Sequence, residues 1–471
     1  MAKPNGGTKR PSPKVISADS AAPQSPRQLR RILGLWDVVF IIIGTVIGSG
    51  IFLVPGAVLR AVGNSVPLAM SVWLVGGILS LLGALTFGEL SSMKPQAGGL
   101  YVYIRDCFGP LAAFLFGWTL FFVISSGSIA TLAVAFGNYV GEFISLTAIS
   151  IKAVALLMIL VITVVNVLGT RKSANVVNIT TTIKVVAILA MSSVLLRHGQ
   201  HPVFGEAASA AHPVSRVVGF GLAMISVLWA FEGWQYATYC AGETLNPQKT
   251  FPLSFFFGTL ALIFIYMLAN VGYLAALGAS GVAESTRVAA SALGVVIGHG
   301  AGKLVAIAIL ISIFSAANAV MLNSPRVYYA MARDGLFFES LSQVSPKFGT
   351  PALAVCAAGV WSAILAVSGT FEQLLTYVIF VAWIFYVLAA ASVFIYRWRA
   401  PNAERPYRVP GYPVTPIIFI LAALVLVGNT IITQPKRAAV GLGIVFLGAP
   451  AYVFWRRAAH VADGTDDDKN E

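Results

Sequence analysis

Three groups of residues have types and spacing suited to holding a charged ligand inside a membrane. The first is Gly48-Ser49-Gly50, midway along an apolar run from about Asp37 to Leu59 that is long enough to cross a hydrocarbon core of about 30 Å. Glycine there interrupts a helix, and unpaired N–H and C=O groups at bilayer depth cost several kcal/mol each unless they line a cavity or meet a ligand. Close packing of neighbouring helices at small residues is the competing explanation. The second group is Val227-Leu228-Trp229-Ala230-Phe231-Glu232-Gly233-Trp234-Gln235. It places a carboxylate near the centre of another apolar run, at about 2.5–3.5 kcal/mol on insertion scales, so Glu232 faces either a cavity or a structural partner. The third is Lys184, the basic residue set deep in a span, whose ammonium must find carbonyl or hydroxyl acceptors on adjacent helices. A broken helix offers free N–H groups and a positive dipole end to an anion on one side of the break, and free carbonyls to a cation on the other. One molecule carrying a carboxylate and an ammonium a few Å apart is an α-amino acid.

The elements that position these residues follow from composition. The chain of 471 residues is 58% hydrophobic and 10% charged, with a mean hydropathy of +0.83, too little polar surface to cover a soluble globule. Long apolar segments between short polar loops specify an all-α integral membrane protein, since barrel strands would alternate over about ten residues. Twelve spans are expected, at about 35–61, 66–91, 110–141, 147–168, 174–196, 216–241, 252–277, 301–331, 351–368, 373–396, 414–433 and 438–455. They make one transmembrane domain over 31–457, between a basic tail at 1–30 with no apolar core and an acidic tail at 458–471. Residues 278–300, rich in Gly, Ala and Ser, read as a cap between spans.

The interruptions lie in spans one and six. An offset of five makes the two units, about 35–196 and 216–397, enter the membrane from opposite sides, with 414–455 as extra helices; that is the inverted-repeat arrangement of many secondary transporters. The formal charge of +13 is a topology signal and not a nucleic-acid footprint, because the basic residues sit in loops and tails. Of 31 Lys and Arg, 22 fall on the N-terminal side of the spans and 8 on the other, with Lys184 inside. Both termini are therefore expected in the cytoplasm of a multi-pass cell-membrane protein.

Cys107, Cys240 and Cys356 fall in or beside spans and build no disulfide framework. His198, His201 and His212 are irregularly spaced in a loop and read as exposed, not as a metal site. With no metal spacing, phosphate loop or Ser-His-Asp set, neither a cofactor nor an enzymatic activity is expected. A channel would want rings of charge or carbonyls, which single broken helices do not supply.

Five ordered stretches carry a resemblance. They are Gly44-Thr45-Val46-Ile47-Gly48-Ser49-Gly50-Ile51-Phe52; Gly88-Glu89-Leu90 through Ala97-Gly98-Gly99-Leu100-Tyr101; Phe108-Gly109-Pro110-Leu111 with Gly117-Trp118; Gly242-Glu243-Thr244-Leu245-Asn246-Pro247; and Ala330-Met331-Ala332-Arg333-Asp334-Gly335 with Gly349-Thr350-Pro351. Together, over about 35–430, the chain resembles the amino acid-polyamine-organocation superfamily, and its L-type amino acid transporter branch in particular.

The resemblance implies a LeuT-type fold of two inverted five-helix repeats plus two helices, carrying an amino acid by exchange or proton coupling without sodium. It implies that amides at Gly48, Ser49 and Gly50 meet the substrate carboxylate, and carbonyls at Val46, Trp229, Ala230 and Glu232 the amino group. Trp229 then acts as a gate over the substrate, where otherwise it is a packing tryptophan. Lys184 resembles a fifth-helix lysine whose ammonium stands in for a sodium ion and ties the first helix to the eighth, with Ser312 and Ser315 as acceptors. Asn318 is a further candidate for the cavity wall.

Two positions depart from the family. Gln235 stands where L-type members often have Asn, and Glu232 where several have a small residue and some that accept cations have an acid. A polyamine or cationic amino acid carrier is therefore the alternative. Some animal relatives join a glycoprotein through an extracellular-loop cysteine; the loop at about 142–150 has none, so no disulfide-linked subunit is expected.

Overall fold

The computed structural model describes residues 29–203, 216–298, 300–368 and 371–467. It is built from helices in the order α1 (Leu35–Val46), α2 (Gly50–Ala61), α3 (Val66–Met93), α4 (Leu100–Phe108), α5 (Pro110–Thr119), α6 (Ser125–Val140), α7 (Ala148–Val167), α8 (Thr170–His198), α9 (Arg216–Ala230), α10 (Pro247–Glu284), α11 (Val288–Ile297), α12 (Ala301–Asn323), α13 (Pro325–Arg333), α14 (Ala352–Ser368), α15 (Phe371–Arg399), α16 (Val414–Thr433) and α17 (Pro435–Asp467). A π-helical turn, Leu120–Ile124, joins α5 to α6, and a 3-10 helix, Trp234–Glu243, follows α9.

Among the described residues nine helices are long and apolar enough to cross a membrane, and the pair α1 and α2, bent by 50° at its break, adds a tenth. The other two expected spans fall on shorter helices that do not reach that length. At 216–241 the α-helix stops after 15 residues because Gly233, at φ +126°, turns the chain into the 3-10 helix. At 351–368 the helix has 17 residues. The expected cap at 278–300 contains a helix of its own, α11, and α10 enters it through a kink at Gly278. Backbone helix continues in α17 to Asp467, where a tail was expected from 458. The basic tail up to residue 28, His212 and residues 468–471 lie outside the described residues.

The core surrounds α1. That helix packs on α8, α10 and α12, and α10 runs along α3 and α8. Polar ties fasten the helix ends. Asp37 accepts from Gly34 N at 2.8 Å, Arg171 at 2.6 Å and Asn178 at 2.7 Å, so it caps α1 and binds it to α8. Glu89 at the end of α3 takes a two-pronged bond from Arg397 at 2.9 and 2.6 Å and another from Val409 N at 2.7 Å. Cys107 and Cys240 are buried and Cys356 is exposed on α14, all as free thiols. Among the described residues no group of three His, Cys, Asp or Glu is arranged to hold a metal.

Candidate functional site

The break between α1 and α2 sets the chemistry of the site. Ile47 leaves the helix at ψ 96°, and Gly48 N closes a tight turn on Val46 O at 2.9 Å. The Gly48 amide is therefore occupied by its own turn. The N–H groups of Ser49, Gly50 and Ile51, which open α2, have no partner among the described residues, and they point their dipole end at the break.

The second break lies against the first. A side chain at Gly233 would meet the Thr45 carbonyl group at 3.1 Å, and one at Gly50 would meet Ala230 Cβ at 3.2 Å. Glycine at these two positions lets the broken ends approach. The Tyr266 hydroxyl of α10 bridges them, 3.0 Å from Ala230 O and 3.3 Å from Val46 O. Val46 O accepts Gly48 N and shares the single Tyr266 proton with the nearer Ala230 O. Among the described residues Trp229 O receives only Glu232 N, at 3.2 Å, and Ala230 O only Tyr266, so each keeps a free lone pair.

The back of the first break is held by charge and hydroxyl. Lys184 Nζ, on α8, donates to Gly44 O at 2.7 Å and Ile47 O at 2.6 Å. Ser312, on α12, donates to Ile47 O and Gly48 O, both at 2.9 Å. Lys184 thus ties α8 to the break through carbonyls, and neither expected serine is its acceptor. Ser315 instead bonds Thr180 at 2.9 Å and Thr181 at 3.2 Å on α8.

Between the breaks is a cavity of about 110 Å³ lined by Thr45, Val46, Gly48, Ser49, Gly50, Ser128, Thr131, Leu132, Trp229, Ala230, Glu232, Gly233, Tyr236, Ala316 and Val320. Seven of the expected residues, Val46, Gly48, Ser49, Gly50, Trp229, Ala230 and Glu232, share this lining. Gln235 does not. It sits one layer behind, donating to the Tyr386 hydroxyl at 2.6 Å and the Glu232 carboxylate at 3.3 Å while accepting from Gly233 N at 3.1 Å. Asn318 is also outside the cavity; it bonds Asn166 at 2.8 Å and Ser173 O at 3.4 Å, joining α12 to α7 and α8. Glu232 Oε1 takes the Tyr386 hydroxyl at 2.8 Å, and Oε2 has no hydrogen-bond partner among the described residues.

Tyr266, Ser128 and Thr131 were not anticipated. Tyr266 has no sequence signal, whereas the hydroxyls Ser125, Ser128 and Thr131 recur every three residues on an apolar helix, a spacing that puts them on one face.

A membrane-spanning helical protein with two apposed helix breaks around a small cavity is built like a carrier for a small zwitterion. The amino acid permease family model matches residues 33–453. The chain belongs to that family, as an L-type-like member of the amino acid-polyamine-organocation superfamily, and is an amino acid transporter and not an enzyme. It is 34% identical over 430 residues to the serine/threonine exchanger SteT of Bacillus subtilis, covering 90% of this chain and 96% of that protein. It is 34% identical over 414 residues to the b(0,+)-type amino acid transporter 1 of Mus musculus, covering 86% and 84%. It is 32% identical over 436 residues to the cystine/glutamate transporter of Homo sapiens, covering 91% and 86%.

Proposed function

We propose that the protein carries an α-amino acid across the cell membrane by alternating access, with twelve spans, two inverted five-helix repeats and both termini in the cytoplasm. The substrate carboxylate meets the amides of Ser49 and Gly50, with Gly48 shaping the turn, and the ammonium meets the free lone pairs of Trp229 and Ala230 and the Glu232 backbone carbonyl. The observation that carries this reading is the pairing of unpartnered N–H groups at one break with unsaturated carbonyls at the other, across one cavity. Lys184 occupies the position of a bound cation, so transport is sodium-independent, by exchange or with protons. The chain partners with lipid and amino acid, and carries no disulfide-linked subunit.

Thermal shift of the purified protein against alanine, alaninamide and N-acetylalanine tests the reading, because a ligand stabilises the state it binds by mass action. Alanine alone should raise the melting temperature. Equal stabilisation by alaninamide would remove the carboxylate contact.

The partner-free Glu232 Oε2 favours a second reading, a cationic amino acid or polyamine carrier, since charge pairing is stronger in a low-dielectric cavity. Glu232→Gln should then weaken a cationic ligand about tenfold or more, roughly 1.4 kcal/mol, and spare small neutral amino acids. Binding of a polyamine without any α-amino acid would replace the first reading with the second.

A further inference from the structure

Among the described residues that line the cavity, Glu232 alone has a carboxylate or cationic side chain, and its two oxygens are treated unequally. The hydrogen bonds behind it run in a fixed direction. Gly233 N donates to Gln235 Oε1 at 3.1 Å, which makes the other end of that amide the donor. Gln235 Nε2 gives one hydrogen to the Tyr386 hydroxyl at 2.6 Å and one to Glu232 Oε1 at 3.3 Å. Tyr386, already an acceptor, sends its own proton to the same Oε1 at 2.8 Å. Both donors therefore end on Oε1. Oε2, without a partner among the described residues, is not enclosed and opens on the cavity.

That asymmetry is the pattern of a neutral carboxylic acid. An ionised carboxylate accepts at both oxygens, whereas in the acid one oxygen accepts like a carbonyl and the other carries the proton. Tyr386 of α15 and Gln235 are the side chains that act on Glu232, and no cation pairs with it among the described residues. The other titratable groups around it are Tyr236 and Tyr239 of the same 3-10 helix. Tyr266 of α10 spends its hydroxyl on Ala230 O and Val46 O, and Lys184 of α8 spends its ammonium on Gly44 O and Ile47 O behind the first break. The cavity wall from α1, α2, α6 and α12 carries no titratable side chain. A bound zwitterion brings no net charge and displaces water, and an unpaired carboxylate is costliest where water is absent. A proton on Oε2 removes that cost.

We infer that Glu232 binds the proton that accompanies a neutral amino acid: Oε2 takes one up as the substrate enters and releases it with the substrate on the other side. A carboxylate lone pair forms the O–H bond with a proton from the solution on the side of entry, and the bond breaks back to carboxylate and proton on release. This inference rests on the amino acid reading above and names the ion bound with the substrate.

Calorimetric titration of alanine into the purified protein tests it, repeated across the range in which buried carboxyls titrate, about pH 5 to pH 8.5. Alanine affinity should fall by about tenfold per pH unit over part of that range, with about one proton taken up per alanine bound. Titration in buffers of different ionisation heat counts that proton. In Glu232→Gln, whose amide matches the neutral acid in shape and in hydrogen bonding, the slope and the proton uptake should both vanish. Tyr386→Phe, which removes one donor from Oε1, should displace the wild-type profile along the pH axis by about half a pH unit or more. A flat wild-type profile without proton uptake would overturn the inference and leave the amino acid reading intact. A slope that persists in Glu232→Gln would move the proton to another group and overturn the assignment. Should Glu232→Gln fail to fold or to bind alanine, an unmoved profile in Tyr386→Phe would overturn it instead. No alanine binding by wild type at any pH would overturn the amino acid reading itself.

Discussion

Arg326 and Glu243 form an ion pair at 2.6 Å with 0% and 1% of their side chains exposed. Arg326 lies on α13 and Glu243 ends the 3-10 helix that continues the second break. Thr170 at the start of α8 donates to the same carboxylate at 2.6 Å, and the Glu243 carbonyl accepts Ile32 N at 2.8 Å and Leu33 N at 2.9 Å. One acidic residue therefore gathers the chain entering α1, the start of α8, the exit of the second break and α13. Removing one partner of a buried pair leaves an uncompensated charge and costs about 3–5 kcal/mol. Glu243→Ala should fall by that amount in detergent unfolding, and Glu243→Leu with Arg326→Met should recover part of it. A shift of less than about 1 kcal/mol in the single variant would show the pair to be dispensable.

Gly48 is the position at which the cavity can be filled without disturbing the fold. A Cβ there meets nothing within 4 Å, whereas at Gly50 it meets Ala230. Gly48→Val should keep the wild-type melting temperature within a few degrees and lose amino acid binding by about a hundredfold, roughly 2.8 kcal/mol. Gly50→Leu, in contrast, should destabilise the protein by overpacking. Wild-type affinity in Gly48→Val, read by thermal shift, would place the substrate elsewhere.

Lys184→Ala leaves Gly44 O without its donor, while Ile47 O keeps Ser312. The variant should be less stable by about 1–3 kcal/mol and inactive in uptake. Exchange of sodium for choline at constant ionic strength should leave wild-type uptake unchanged. Uptake that rises with sodium would contradict the cation-replacement role.

Much of this site is legible in the sequence where a residue type is out of place. Glycine at 48 and 50, Glu232 with Gly233, and Lys184 each stand out against an apolar helix. Ser315, Asn318 and Gln235 are polar for another reason: they bond neighbouring helices, and which neighbour they meet is a tertiary fact. Tyr266 is unremarkable in a helix by type and acquires meaning only from the carbonyls opposite, whereas Ser128 and Thr131 are legible only as part of a repeat of hydroxyls at every third residue. The count of spans blurs where breaks shorten helices, as at Ala230 and Gly233.

Arg287, between α10 and α11, donates through its two terminal guanidinium nitrogens to Glu142, just beyond α6. Arg287 holds the Glu142 carboxyl below its usual range. A depressed carboxyl contributes stability that is present above the ordinary carboxylate range and is lost as pH falls through its lowered value. Arg287 is 55% and Glu142 37% exposed, so the pair contributes under about 1 kcal/mol and weakens with salt. Melting temperature followed from about pH 6 to pH 3 should fall slightly less in Glu142→Gln than in wild type, a difference that high salt removes. A larger acid-side fall in the variant would reverse the sign and contradict the assignment.

A carrier of this kind holds an amino acid in one cavity between two helix breaks and presents it alternately to the two sides of the membrane. Counterflow into liposomes tests it most directly. Vesicles carrying wild-type protein and preloaded with unlabelled alanine should accumulate labelled alanine in a transient, saturable overshoot, without sodium, and vesicles carrying Gly48→Val should not. Accumulation by Gly48→Val equal to wild type would place the substrate outside this cavity, and flux through wild type that rises linearly with alanine and shows no overshoot would make the protein a pore.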